Sequence, residues 1–79
     1  MHEFHIRLSS FRQVQDFVRI AMSQPFEVMV GNHHQRINGK DFMGMCSLDY
    51  NHPLQVSVTC SEEEYSCLYR NVEKYLVHC

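Results

Sequence analysis

Ile37-Asn38-Gly39-Lys40-Asp41-Phe42-Met43-Gly44-Met45-Cys46-Ser47-Leu48-Asp49 is the stretch whose reading decides the fold. It starts as the end of a strand, turns at Asn38-Gly39, and presents Asp41 as the N-cap of a short helix over 41–47. Asp41 can accept a hydrogen bond from the backbone N–H of Met43 or Gly44, and its charge suits the positive end of the helix dipole. Met45 and Leu48 fall three apart and can face inward. Phe42, Met43 and Cys46 then point largely the other way. A helix this short with apolar residues on two sides is either wedged between layers or reserved for a partner.

Working outward, Phe4, Ile6 and Leu8 alternate with His5 and Arg7, the period of a strand with one buried face. Ser9-Ser10 ends it, and Ser10 as cap with Gln13 would form a capping box. Phe11, Val14, Phe17, Val18 and Ala21 recur at helical spacing, so residues 11–23 read as the first helix, stopped by Pro25. Phe26, Val28 and Val30 form a second strand. Gly31-Asn32 supplies a turn able to take positive φ, and the chain returns from His34 to Asn38 as a third strand in a hairpin. Leu54, Val56, Val58 and Cys60 give the fourth. Ser61-Glu62-Glu63-Glu64 is a capping box with negative charge in the first helical turn. Tyr65, Leu68, Val72 and Tyr75 or Leu76 line the inner face of a last helix running to about Val77.

The order is β-α-β-β-α-β-α, with polar residues on the outward face of the strands. That pattern predicts an α+β fold: a four-stranded antiparallel sheet with its helices on one side, within one domain over 1–79. The open face is expected to carry His5, Arg7, Gln55, Ser57 and Thr59. With 79 residues the core contributes only roughly 3–5 kcal/mol of net stability, so most apolar positions are committed to structure.

Composition excludes several functions. A formal net charge of −2 and no Lys/Arg cluster give no reason to expect nucleic acid. The charged start, Met1-His2-Glu3-Phe4-His5-Ile6-Arg7, does not read as a signal peptide. No apolar run approaches the roughly 20 residues that span a bilayer. The expectation is a soluble cytoplasmic protein without membrane insertion. Cys46, Cys60, Cys67 and Cys79 contain no CxxC pair; two disulfides are conceivable, and free, mostly buried thiols are the reading preferred. The six histidines show no i, i+4 pair: His33-His34 are adjacent in a turn, His2 and His5 lie on a strand, His52 is in a loop, and His78 is terminal. Surface histidines account for them, and no metal or other cofactor is expected.

The motif Gly39-Lys40-Asp41-Phe42-Met43-Gly44-Met45-Cys46-Ser47-Leu48, placed after a strand, resembles the second helix of the histidine-containing phosphocarrier (HPr) proteins of the sugar phosphotransferase system. The rest of the chain fits that template in order. The resemblance implies the HPr-like two-layer open-faced sandwich and a role in sugar transport. In that family a histidine at the start of the first helix carries the phosphoryl group, followed two residues later by an arginine that helps hold its oxygens. Aligned through Phe17-Val18, this chain has Ser10 at the histidine position, Arg12 at the arginine and Gln13 at the following proline. The resemblance thus leaves Ser10 and Arg12 as the anion-binding half of the site and removes the nucleophile, with no catalytic residue in its place.

A serine does not substitute for it, because a phosphoserine ester is far less reactive towards onward transfer than a phosphohistidine; the bland reading of Ser10 is a helix cap. Asp41 stands where the family's regulatory serine caps the second helix. It is either a simple cap swap or a fixed negative charge that imitates the phosphorylated form. Phe42, Met43 and Cys46, with Arg12, occupy the family's partner-binding positions. The alternative for Phe42 is that it folds back on the first helix and completes the core. The function expected is a non-phosphorylatable binding or regulatory module docking a protein partner, a phosphotransferase-system enzyme or a transcriptional regulator, through the helix over 41–47. The alternative is an active phosphocarrier charged from phosphoenolpyruvate by the system's first enzyme, with His5 the nearest acceptor.

Overall fold

The computed structural model describes residues 2–32, 35–48 and 50–77. The chain runs β1 (His2–Ile6), α1 (Phe11–Met22), β2 (Val28–Gly31), β3 (Arg36–Asn38), α2 (Phe42–Cys46), β4 (Leu54–Val58) and α3 (Glu62–Val72), closed by a 3-10 turn over Glu73–Tyr75. The strands form one antiparallel sheet in the order β1-β4-β2-β3. Alternation puts Phe4, Ile6, Val28, Val30, Leu54, Val56 and Val58 on one face, all buried, and the helices cover that face with Val14, Phe17, Val18, Met45, Leu68 and Val72. The α+β open-faced sandwich expected from the sequence is the fold.

The helix ends follow local chemistry. Ser61 and Glu64 form the capping box, each side chain meeting the other's backbone N–H (3.0 and 3.1 Å). Ser10 caps α1 by accepting from Gln13 N–H at 3.3 Å. The expected box with Gln13 is displaced by one residue: its Oε1 takes the N–H and hydroxyl of Ser9 (2.7 and 3.0 Å), not the N–H of Ser10. Lys40 reaches across from the α2 approach and donates to the Gln24 carbonyl at 2.9 Å, tying that turn to the end of α1.

Several boundaries differ from expectation. Leu8 is buried but lies past β1, Phe26 precedes β2, and Cys60 follows β4. The turn assigned to Gly31-Asn32 does not use positive φ, which no described residue adopts. Gly31 belongs to β2, and its bare Cα is needed for room: a Cβ there would lie 2.6 Å from the Gln35 carbonyl oxygen. The turn is closed instead by Asn32, whose N–H meets the Gln35 carbonyl and whose Oδ1 accepts from Gln35 N–H (2.9 and 3.0 Å). The expected strand start at His34, the His33-His34 pair, Asp49, His78 and Cys79 lie outside the described residues.

The open face carries Glu3 and His5 from β1, Gln55 and Ser57 from β4, and Met29 from β2. Arg7 and Thr59, expected there, fall beyond the strand ends. Cys46 and Cys67 are exposed rather than buried, because each sits on the outward side of its helix, and Cys60 is half-buried; all three are free thiols.

The last helix does not reach Val77. After Val72 the chain tightens into the 3-10 turn and then runs beside β1, with Leu76 opposite Ile6. Arg7 N–H donates to the Tyr75 carbonyl (2.8 Å) and Val77 N–H to the His5 carbonyl (3.0 Å). Tyr75 is buried, and its hydroxyl donates to Asp16 Oδ2 at 2.5 Å, the oxygen that Lys74 also meets at 3.0 Å. The Tyr75 hydrogen bond, followed by that of Lys74, holds the Asp16 carboxyl below its ordinary range. Burial first, then the bond to Asp16, pushes the Tyr75 phenol up to about 12.

The Asp16 contribution to stability is therefore full above the ordinary carboxylate range and lost as pH falls through the depressed folded value. The Tyr75 contribution is present below the ordinary phenol range and lost as pH rises through about 12. On acidification from neutral pH, Asp16→Asn should lose less stability than the native chain, measured as urea midpoints along a pH series; parallel curves would contradict the latch. Ser10→Ala should cost about 0.5–2 kcal/mol, and Ser10→Asp should fold normally because aspartate also caps.

Candidate functional site

Helix α2 spans five residues, too few to be stable by propensity alone, so its ends decide whether it exists. At the C-terminal end Ser47 Oγ donates to the Gly44 carbonyl at 2.6 Å, and the Tyr50 hydroxyl donates to the Met45 carbonyl. Burial, with a smaller effect of neighbouring Cys46, pushes the Tyr50 phenol up to about 12, so it keeps its proton and its donor role. Gln35 reaches Ser47 Oγ from the approach to β3 at 3.3 Å. Met45 and Leu48 are buried beneath, as their spacing predicts.

At the N-terminal end Asp41 takes the cap position, and its carbonyl accepts from Met45 N–H at 2.9 Å. Its side chain makes no cap hydrogen bond, contrary to expectation. The backbone explains this: ψ is 101° at Asp41, against 159° at Ser10 and 165° at Ser61, where the side chains do cap. The carboxylate instead lies over Gly44, with Oδ2 only 3.0 Å from where a Cβ on that residue would be. Asp41 is exposed, so its charge is presented to solvent.

The outward residues of α2 divide. Met43 is 77% exposed and Cys46 is exposed, as read from the sequence. Phe42 is not fully outward: it is half-buried and folds back onto α1, where its ring meets Phe11 edge-on at a centroid distance of 5.5 Å. Phe11 is itself 61% exposed. Helical spacing had assigned Phe11 to the core; position 11 is the first residue of α1, where the helix has not yet passed under the sheet. Phe11, Phe42 and Met43 thus make an apolar surface at the junction of α1 and α2.

Ser10 stands at the start of the same helix, exposed, with its oxygen engaged by Gln13 N–H. Arg12 is exposed one residue beyond Phe11, on an adjacent flank of α1. There it lines an open cleft of about 450 Å³ with Gln13, Gln15, Asp16, Arg19, Lys74 and Tyr75. Among the described residues Asp16 is the acid of that cleft, and it is already paired with Lys74, so the cleft is cationic overall. Sequence reading singled out Arg12 and missed Arg19 and Lys74. The period from Arg12 through Asp16 to Arg19 was visible, but the arrival of Lys74 depends on the 3-10 turn. Among the described residues no group of three or more His, Cys, Asp or Glu converges in a way that could hold a metal ion. None of the described helices is long and apolar enough to cross a membrane.

No protein-family model matches the chain, and no curated protein matches it by sequence. Among solved structures, the crystal structure of HPr-C-His from Thermoanaerobacter tengcongensis superposes with a TM-score of 0.72 over 94% of this chain and 93% of that one, at 23% sequence identity. The likeness is one of fold.

Half-burial makes Phe42→Ala a graded test. It should cost about 1–3 kcal/mol, less than a fully buried Phe, while Phe11→Ala should stay within about 0.5 kcal/mol. Urea midpoints would check both, and a loss of about 3–5 kcal/mol for Phe42→Ala would make the ring a core residue.

Proposed function

We propose that this chain is an HPr-like protein of a phosphotransferase system, acting as a binding or regulatory module that does not accept a phosphoryl group. The observation that carries the reading is the apolar surface at the α1–α2 junction, uncovered in the lone chain and flanked by Arg12. Exposed Phe and Met beside an Arg have the composition of an interface hot spot. Phe42, Met43, Cys46 and Arg12 are the docking residues, and Phe11 joins them. The partner is a protein, either a phosphotransferase-system enzyme or a transcriptional regulator.

The loss of phosphoryl acceptance rests on Ser10, whose hydroxyl oxygen serves as the helix cap. Ser10 and Arg12 remain able to hold an anionic group of the partner. The carrier alternative, through His5, is disfavoured by placement: His5 projects from the open face of the sheet, opposite Gln55, whereas α1 packs on the other face.

Incubation with phosphoenolpyruvate and the system's first enzyme separates the two readings. A module gives no acid-labile phosphate; a histidine-linked phosphate would overturn it. Asp41 is proposed as the regulatory position, a permanent negative charge at the start of α2. Because its side chain makes no cap bond, Asp41→Ser and Asp41→Asn should change stability by no more than about 0.5 kcal/mol. Both should shift affinity for the partner several-fold by calorimetry, and equal affinities for all three forms would discard the role.

A further inference from the structure

Helix α1 and the 3-10 turn over Glu73–Tyr75 border an open cleft of about 450 Å³, and three cations line it: Arg12 and Arg19 from the helix, Lys74 from the turn. Its acid, Asp16, is already engaged, because Oδ2 meets Lys74 at 3.0 Å and accepts from the Tyr75 hydroxyl. Arg12 and Arg19 are both exposed and make no ion pair with a described residue. Lys74 keeps two further N–H donors beyond the one turned to Asp16. Gln13, also lining the cleft, turns Oε1 to Ser9, which leaves its Nε2 free to donate. The described C-terminal segment leads out of this cleft: after Tyr75, Leu76 and Val77 run on beside β1, at Ile6 and His5.

We infer that the cleft is a binding site for an oligophosphate chain, with Arg12 and Arg19 on its two ends and the Lys74 ammonium between them. Positions 12, 16 and 19 share one face of α1, and Lys74 enters at the middle position by meeting Asp16. Seven residues place the two arginines about 10.5 Å apart along the helix axis. That span suits a chain of phosphates, each guanidinium forking onto the oxygens of a different group, better than one carboxylate or one orthophosphate.

The lining also says which part of such a ligand is read. The Tyr75 ring is buried and lies under the Lys74 ammonium, 5.2 Å from its centroid, so it offers no face for a base to stack on. The phosphate chain itself is the recognised chemistry, whether it belongs to a nucleoside triphosphate or to inorganic polyphosphate. The chain as a whole carries a formal net charge of −2, so affinity for a polyanion must come from this local arrangement and not from bulk attraction. The site goes beyond the docking role proposed for the α1–α2 junction: it shares Arg12 with that surface and needs none of Phe11, Phe42 or Met43.

Calorimetric titration of the full chain with inorganic triphosphate, in magnesium-free buffer of low ionic strength, tests the inference. Triphosphate should bind about tenfold or more tighter than orthophosphate, and Arg19→Gln should weaken it about threefold or more. Arg70→Gln removes the same charge from the outer side of α3 and should leave the affinity within about twofold. Asp16→Asn removes the opposing charge while an amide oxygen can still accept from Tyr75, so its affinity should rise about threefold or more. ATP separates the sources: affinity equal to or below that for inorganic triphosphate assigns the site to the phosphate chain alone, and tighter binding assigns it to a nucleotide. Triphosphate bound no tighter than orthophosphate, equal losses for Arg19→Gln and Arg70→Gln, or an Asp16→Asn chain with no gain in affinity would each overturn it.

Discussion

Because β4 is hydrogen-bonded on both edges, to β1 and to β2, it sets the register of the sheet. Leu54 and Val56 are fully buried and Val58 nearly so, and they meet Ile6, Phe4 and His2 on one side and Val56's partner Val30 and Val58's partner Val28 on the other. A slip of one residue would turn that whole row to solvent, so the central strand's alternation dictates which face every helix must cover. The hydrophobic contribution of this layer is what a small chain has available to offset its conformational entropy. The open face, by contrast, is held by polar pairs such as Glu3 with Gln55 and Ser57.

The helices are then placed by a few long-range contacts. Asp16 receives Tyr75 and Lys74 from a segment 59 residues away in the case of the tyrosine, and this latch brings the end of the chain back against β1. One carboxylate thus links α1 to the C-terminal segment, while Lys40 links the α2 approach to the end of α1. The Lys40 bond goes to a carbonyl just past the end of α1, where backbone groups lack helical partners, whereas Asp16 acts from the middle of that helix.

Helix α2 shows how a marginal element is held in place. It survives because Ser47, Tyr50 and the buried Met45 secure it, and its remaining side is left to Met43, Cys46 and part of Phe42. The apolar surface it shares with Phe11 lies on helical backbone at the first turns of α1 and α2. Asp41 adds charge at the same end without being consumed by capping.

Read alone, the sequence determined the class of each strand and α-helix, the inner faces of the first, second and fourth strands, the caps at Ser10 and Ser61, and the inward pair Met45 and Leu48. These are local matters: a period of two or 3.6 and a cap three residues from its partner are written in neighbouring positions. Tertiary structure alone decided the strand order, the return of Tyr75–Val77 to β1, the joining of Lys74 and Arg19 to Arg12, and the pairing of Phe42 with Phe11. It also decided that Asp41 turns away from the amides it could have capped, since that depends on one backbone angle set by the turn from β3. Local pattern tells a residue which side of its own element it occupies. What waits on that side depends on contacts made across the chain, and no short stretch of residues encodes them.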